Sequence, residues 1–257
     1  MMKNLCIAAH HDDVEIMAYA AIAKCYGSED NQFTAVVVTD GSGSLRNGIY
    51  AGFTDKEMME IREREQKAAA EIGRYNALFL LAEKSNAAKD PKNRDVTEKI
   101  KKIILETAPD TIYTHNLADK HDTHVAVAMH VIRALRELPI EKRPSRVIAM
   151  EVWRSLDWLC DEDKVVEDTS PYPNTASALI GVFDSQVSSK RYDLAAIGRR
   201  LANATFYQSN NTDDFESVSY GMDITELVNS NISPVDFINK HIDKFKNEVQ
   251  RRLEVYL

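Results

Sequence analysis

Short apolar runs and stripes of apolar residues with helical spacing alternate along most of this chain. The runs predict strands over residues 4–9, 33–38, 77–81, 111–114 and 146–153. The stripes predict helices over residues 12–26, 54–73, 95–107 and 125–135. Strands and helices that alternate in this way usually form a parallel sheet with helices on both faces. We therefore expect an α/β fold, a Rossmann-like three-layer domain with a mostly parallel sheet.

The pattern is weaker in the second half of the chain. Residues 161–173 predict an acidic loop, residues 176–183 fit no single element, and residues 188–204 predict a helix. Ser233 and Pro234 begin a last helix whose apolar stripe packs either on the domain or on another subunit of a homo-oligomer. We expect a single domain over residues 1–257, with an α/β core in 1–155 and peripheral C-terminal elements and the terminal helix in 156–257.

Composition excludes several classes of function. The net charge of −8 gives no general attraction to nucleic acid or to an anionic membrane surface. No apolar stretch approaches the roughly 18 residues of a membrane span, and the first residues lack the order of a signal peptide, so we expect a cytoplasmic protein. Three widely spaced cysteines, Cys6, Cys25 and Cys160, indicate neither a disulfide framework nor a thiolate zinc site.

Two clusters of titratable residues follow predicted strands. They are His10, His11, Asp12 and Asp13 after the first strand, and His115, His121 and His124 after the fourth. Loops at the carboxyl ends of parallel strands open at the same edge of a sheet, so these clusters can meet there. Two histidines and one carboxylate satisfy the ligand count of a catalytic zinc, and a second carboxylate nearby can take a proton. An aspartate alone in such a position is more often a helix N-cap, but the combination favours a metal site.

Three further acidic and basic residues have two interpretations each. Glu65 lies on the apolar stripe of the helix over 54–73, and Arg62 is close enough to meet it. A buried carboxylate needs a partner, which favours a structural ion pair over a pair that lines the site. Asp40 lies in a glycine-containing segment after the second strand, which is either a substrate-facing loop or a plain surface turn.

These residues resemble the LmbE-like or PIG-L family of zinc-dependent N-acetylglucosaminyl deacetylases. The family's first motif, Ala-His-Pro-Asp-Asp-x-Glu, is matched by residues 9–15 with His11 in place of proline. Its second, His-Pro-Asp-His, is matched by residues 121–124 with Thr123 in place of aspartate. Residues 39–41, 62–65, 72–73 and 185–186 resemble shorter family motifs. The resemblance covers the first 155 residues well and the remainder faintly.

The resemblance implies a role for each matched residue. His10, Asp13 and His124 would bind zinc or another divalent transition metal, Asp12 would be the general base, and His121 would stabilise the oxyanion or act as general acid. Arg62, His11, Asp40 and Asp122 are the candidate substrate-binding residues.

The implied reaction is metal-dependent hydrolysis of an acetyl or other small acyl amide on an N-acetylglucosamine-type amino sugar or its conjugate. The alternative is a catalytically weakened, metal-containing sugar-binding or regulatory protein of the same fold. Thr123 and His11 motivate that alternative because both depart from the family motifs.

Overall fold

One mixed sheet of seven strands forms the centre of the protein. The structure is a computed structural model that describes residues 1–257. The strands are β1 Lys3–Ala8, β2 Gln32–Thr39, β3 Ala77–Glu83, β4 Thr111–His115, β5 Arg146–Met150, β6 Lys164–Asp168 and β7 Val218–Asp223. Their order is β3-β2-β1-β4-β5-β7-β6. Strands β1 to β5 pair in parallel, whereas β7 lies antiparallel between β5 and β6. The predicted mostly parallel α/β sheet is confirmed.

Helices cover both faces of this sheet. They are α1 Asp13–Met17, α2 Tyr19–Tyr26, α3 Asp55–Gly73, α4 Ser85–Lys89, α5 Asp95–Thr107, α6 Asp122–Glu137, α7 Pro173–Gly181, α8 Asp184–Val187, α9 Tyr192–Phe206, α10 Thr225–Asn229 and α11 Pro234–Glu254. Apolar residues of α5, α6 and α10 form the core on one face, and those of α1, α2 and α7 form the core on the other. All three cysteines are buried and free.

The single helix predicted over residues 12–26 is wrong, because α1 and α2 are separate and meet at Ala18. The side chain of Arg200 donates hydrogen bonds to the carbonyl oxygens of Glu15 at 2.7 Å and Ile16 at 3.0 Å. In a continuous helix these two carbonyls would accept from the backbone four residues later. A buried arginine from the second half of the chain therefore stabilises the break.

The predicted loop over residues 161–173 is also wrong, because it contains the edge strand β6. Three of the five β6 residues are charged, and the buried carboxylate of Glu167 accepts a hydrogen bond from Lys24 at 2.6 Å. Because charged residues make up most of β6, the hydrophobic pattern of the sequence does not indicate a strand there. Residues 156–257 thus contribute two strands, β6 and β7, to the central sheet.

The terminal helix begins as predicted, with the Ser233 hydroxyl accepting from the backbone N–H of Val235. Its apolar stripe is largely uncovered, with Ile242, Phe245 and Val249 40–44% exposed. None of the helices has both the length and the apolar character needed to cross a bilayer.

Candidate metal centre

Strands β1 and β4 are neighbours in the sheet, and this adjacency brings the two predicted clusters together. Residues 9–12 leave the carboxyl end of β1 and lead into α1, while residues 116–121 leave β4 and lead into α6. The sheet edge where both loops open carries His10, Asp13 and His124 side by side. The arrangement follows from parallel pairing, as the sequence predicts.

Three donor atoms from these side chains form a nearly equilateral triangle. Nδ1 of His10 lies 3.1 Å from Oδ2 of Asp13 and 3.1 Å from Nε2 of His124. The third side, from Nε2 of His124 to Oδ2 of Asp13, is 3.2 Å. Ligand atoms of a tetrahedral zinc ion, with bonds of about 2.0–2.1 Å, lie about 3.3 Å apart. The donor types and the spacing therefore fit a divalent transition metal.

The ionisable side chains of the centre shift one another's pKa values. Burial acts to raise the pKa of Asp13, but His124 and His10 outweigh burial and hold that pKa well below its usual range. Burial acts to lower the pKa of His124, but Asp13 and Asp119 outweigh it and raise that pKa to about 9. The Asp13 carboxylate thus faces two imidazole nitrogens. A cation bound between these three groups would also stabilise the negative charge of the carboxylate.

Asp119 orients His124 and was not among the residues predicted from the sequence. Its Oδ2 lies 3.3 Å from Nδ1 of His124, so Nε2 of that ring is left for a metal. The Asp119 carboxylate also accepts from the backbone N–H groups of His121 at 3.1 Å and Trp153 at 3.2 Å. The sequence feature that could have indicated this role is an acidic residue in the short turn between a strand and a histidine-bearing helix.

His115 lies beside the centre, and its Nε2 is already engaged by the backbone. Its ring stacks on that of His124 with centroids 3.9 Å apart. Nε2 of His115 accepts the backbone N–H of Ala9 at 2.8 Å, which occupies its lone pair. Burial lowers the pKa of His115 well below its usual value, which keeps the ring neutral.

Asp12 borders the cleft beside this centre. Its backbone has φ of 87°, in the left-handed region, which an aspartate tolerates better than most residues. Its carboxylate lies 3.9 Å from the Arg62 guanidinium. Burial raises the pKa of Asp12 well above its usual value, although Arg62 opposes the shift.

His121 faces the same cleft, with its ring 4.7 Å from that of His10 and 4.6 Å from that of His124. Burial, followed by the charges of His10 and His124, lowers the pKa of His121 to about 4. The hydroxyl of Thr123, where the family motif has aspartate, lies 3.0 Å from that of Ser85. Asp122 is exposed and does not line the cleft.

Arg62 is both a structural residue and a wall of the cleft. Its buried guanidinium donates to the carbonyl of His11 and pairs with Glu65 at 3.3 Å. With its amide oxygen turned toward Arg62, Gln186 accepts at 3.1 Å. The Ser185 hydroxyl donates to Glu65 at 2.6 Å. The ion pair favoured from the sequence therefore exists, and it also fixes the cleft surface.

His11 and Asp40 lie close to the glycine-containing segment after β2. His11 is buried and does not line the cleft, and burial followed by Arg62 lowers its pKa to about 3. Asp40 lines the cleft, but its carboxylate accepts from the backbone N–H and the hydroxyl of Ser42 at 3.0 and 2.8 Å. Gly41 has φ of +74°, and a Cβ there would lie 3.2 Å from Nδ1 of His11.

The cleft above the centre has a volume of about 710 Å³, enough for a small molecule. Nine of its 24 lining residues lie in the second half of the chain, and of these only Gln186 belongs to a motif singled out in the sequence. These are Val152, Trp153, Gln186, Lys190, Arg191, Tyr192, Ala195, Ala196 and Arg199. Only the folded chain brings α9 and the segment after β5 to the metal centre.

Comparisons with known proteins bear on the family and the fold of this chain. The sequence model of the family described as PIG-L, GlcNAc-PI de-N-acetylase, matches residues 5–135. No curated protein sequence matches the chain.

Several solved structures have the same fold. N,N′-diacetylchitobiose deacetylase from Pyrococcus horikoshii is similar with TM-score 0.69 and 17% identity, over 89% of this chain and 86% of that one. The 4-carboxy-2-hydroxymuconate hydratase GalB from Pseudomonas putida is similar with TM-score 0.66 and 17% identity, over 91% and 100%. Teicoplanin deacetylase Orf2 is similar with TM-score 0.61 and 13% identity, over 86% and 97%. At these identities the likeness is one of fold.

Proposed function

Because the chain belongs to the PIG-L family of GlcNAc-PI de-N-acetylases, we propose that it is a zinc-dependent hydrolase that removes an acetyl or small acyl group from an N-acetylglucosamine-type sugar. The substrate is the N-acylated amino sugar itself or a conjugate of it. The neighbours named as chitobiose and teicoplanin deacetylases support this choice. A hydratase shares the fold, so the reaction must be argued from the site.

The triangle of His10, Asp13 and His124 is the observation that carries the proposal. Two imidazole nitrogens and one carboxylate oxygen, each within 3.2 Å of the others, are the ligand set of a catalytic zinc. When bound there, the metal supplies Lewis acidity that polarises the acyl carbonyl and lowers the pKa of a coordinated water toward about 7.

Asp12 and His121 then handle the protons and the charge. Asp12, whose pKa is raised by burial, takes a proton from the attacking water and returns it to the departing amine nitrogen as the C–N bond breaks. His121 has a pKa of about 4 and is neutral near pH 7, so its N–H group stabilises the developing oxyanion as a hydrogen-bond donor. The products are the free amine and acetate.

The test is acetate release from a panel of N-acetylglucosamine glycosides by the full chain, with zinc added and after chelation. Turnover that requires the metal, and that falls about 10²–10⁴-fold in Asp12→Asn, supports the proposal. An Asp12→Asn protein with wild-type turnover refutes the assignment of the base.

Thr123 favours the second candidate, a metal-containing sugar-binding protein with little turnover. Threonine lacks the carboxylate that the family motif has at this position, and its hydroxyl contacts that of Ser85. The double variant Thr123→Asp with His11→Pro restores both motifs. If neither wild type nor this variant releases acetate from any glycoside, while both bind one of them, sugar binding is the better description.

A further inference from the structure

The peptide group that joins His11 to Asp12 is held in a strained orientation. Asp12 has φ of 87° and ψ of −26°, a backbone conformation that is unfavourable for a residue with a Cβ. If this peptide turned over by half a rotation, its C=O and N–H groups would exchange directions and the φ of Asp12 would become negative, which relieves the strain. Neighbouring groups must therefore hold the observed orientation.

Two buried side chains of α3 contact this peptide, one on its C=O side and one on its N–H side. The guanidinium of Arg62 donates to the carbonyl oxygen of His11. The side-chain oxygen of Gln66 accepts the backbone N–H of Asp12 at 3.4 Å. Residues 62 and 66 lie one turn apart on the same face of the helix. After a half rotation the peptide would present its N–H to Arg62 and its C=O to the oxygen of Gln66, so both contacts would become repulsive.

The orientation of the Gln66 amide is fixed in turn by Glu15. Nε2 of Gln66 donates to Oε1 of Glu15 at 2.7 Å, and the hydroxyl of Tyr75 donates to the same oxygen at 2.7 Å. The N–H of Asp12 can only donate, and the Glu15 oxygen accepts both of its contacts. The Gln66 amide therefore satisfies both neighbours in one orientation only, with its oxygen toward Asp12.

We propose that Gln66 is a positioning residue, which together with Arg62 clamps the His11–Asp12 peptide and so orients the Asp12 carboxylate in the cleft. Gln66 does not line the cleft, so it acts through Asp12 and not on the substrate. The effect on rate rests on the proposed function, whereas the clamp itself does not. A misplacement of a reacting group by about 1 Å can lower a rate about 100-fold, so the orientation of this carboxylate matters to turnover.

Gln66→Met and Tyr75→Phe are a matched pair of variants. Each removes one hydrogen bond to Oε1 of Glu15, but only Gln66→Met also removes the acceptor of the Asp12 N–H. With the zinc-loaded full chain and an N-acetylglucosamine glycoside, we expect kcat to fall about 10–100-fold in Gln66→Met while KM stays within about twofold of wild type. Tyr75→Phe should keep kcat within about threefold of wild type, and both variants should keep about one zinc per chain.

Two results of this comparison would overturn the inference. One is a kcat that falls equally in Gln66→Met and Tyr75→Phe, which would mean that both act through the packing around Glu15. The other is loss of zinc from Gln66→Met, which would mean that Gln66 supports the metal centre and not the base.

A double-mutant cycle determines whether Gln66 acts through Asp12. In the Asp12→Asn background the base is already absent, so adding Gln66→Met should lower kcat by no more than about twofold. If the losses of the two single variants multiply instead, Gln66 acts through another group and the inference fails.

Hydrogen exchange at the Asp12 amide tests the clamp without turnover. We expect this amide to exchange slowly in wild type and in Tyr75→Phe, and at least about tenfold faster in Gln66→Met. If no glycoside is hydrolysed but this pattern is found, the proposed function fails and the clamp stands. If glycosides are hydrolysed and the Asp12 amide exchanges equally in all three proteins, the clamp fails and the proposed function stands.

Gln66→Glu replaces Gln66→Met if the latter does not fold. Its protonated carboxyl can accept the Asp12 N–H and donate to Glu15, so the Asp12 amide should exchange as slowly as in wild type and kcat should stay within about threefold. Slow exchange at Asp12 with a kcat more than about tenfold below wild type would overturn the positioning role, and fast exchange with wild-type kcat would overturn it as well.

Discussion

Oδ2 of Asp119 and Nδ1 of His124 lie 3.3 Å apart, and this contact decides which nitrogen of the imidazole faces His10 and Asp13. A histidine that donates its Nδ1–H to a carboxylate presents Nε2 as a lone pair. The same carboxylate also accepts from two backbone N–H groups, which fixes its own position. The turn before α6 therefore holds the Asp119 carboxylate in the position that orients the His124 ring.

Asp119→Asn should weaken metal binding about 10–100-fold while the fold is kept, because the amide no longer stabilises the Nδ1–H tautomer as a carboxylate does. Zinc titration against a competing chelator measures the change. Asp122→Asn serves as the comparison, since Asp122 is exposed and close in sequence, and its metal affinity should stay within about twofold of wild type. The reverse pattern would transfer the orienting role to Asp122.

Gly41→Ala should destabilise the fold by about 1–2 kcal/mol because a left-handed backbone is strained for alanine. The new Cβ would also lie 2.9 Å from Cγ of Arg62, so we expect a lower kcat/KM as that side chain shifts. Urea unfolding and steady-state kinetics measure the two effects. Gly43→Ala is the control, because a Cβ there meets no atom within 4 Å. Equal stability of the two variants would contradict the strain argument.

His130 should make stability fall as the pH decreases. It is buried, with Nδ1 2.8 Å from the Thr97 hydroxyl and Nε2 2.9 Å from the carbonyl oxygen of Ala88, and burial lowers its pKa. Below the unfolded-state pKa of about 6.5, His130 of the unfolded chain binds a proton that the buried ring of the folded protein does not. The free energy of unfolding therefore decreases as the pH falls below that value.

His130→Leu removes this contribution and also leaves the two partners of the ring unpaired. At pH 7.5 the variant should be less stable than wild type by about 1–3 kcal/mol. The gap should narrow toward pH 5, because only wild type loses stability through this group. Urea unfolding across this range measures it, and a gap that widens at low pH would refute the assignment.

The first half of the fold was predictable because each buried parallel strand is a short apolar run and each helix carries an apolar stripe. The helix predicted over 54–73, for example, is present as α3, and Thr54 and Glu57 form a capping box at its start. Strand β6 was not predictable, since its charged residues are paired with partners distant in sequence such as Lys24. The break at Ala18 depends on Arg200 in the same way.

The three donors of the metal centre could be predicted from the sequence because their positions after adjacent strands bring them together. His10, Asp13 and His124 follow adjacent strands, and parallel pairing brings them together. Sequence spacing could not separate His115 from the ligands, because the difference is a single hydrogen bond from the backbone N–H of Ala9. Lys190 and Trp153 were missed for a different reason, since only tertiary packing brings them to the cleft.

The metal content of two neighbouring variants tests the central claim most directly. Asp12 and Asp13 are adjacent, yet only Asp13 belongs to the donor triangle, while Asp12 borders the cleft. Elemental analysis of zinc-loaded, desalted Asp12→Ala and Asp13→Ala measures metal per chain. We predict about one zinc per chain for Asp12→Ala, as in wild type, and well under half for Asp13→Ala. Equal zinc in the two variants, whether full or lost, would contradict the division of roles on which the proposed function rests.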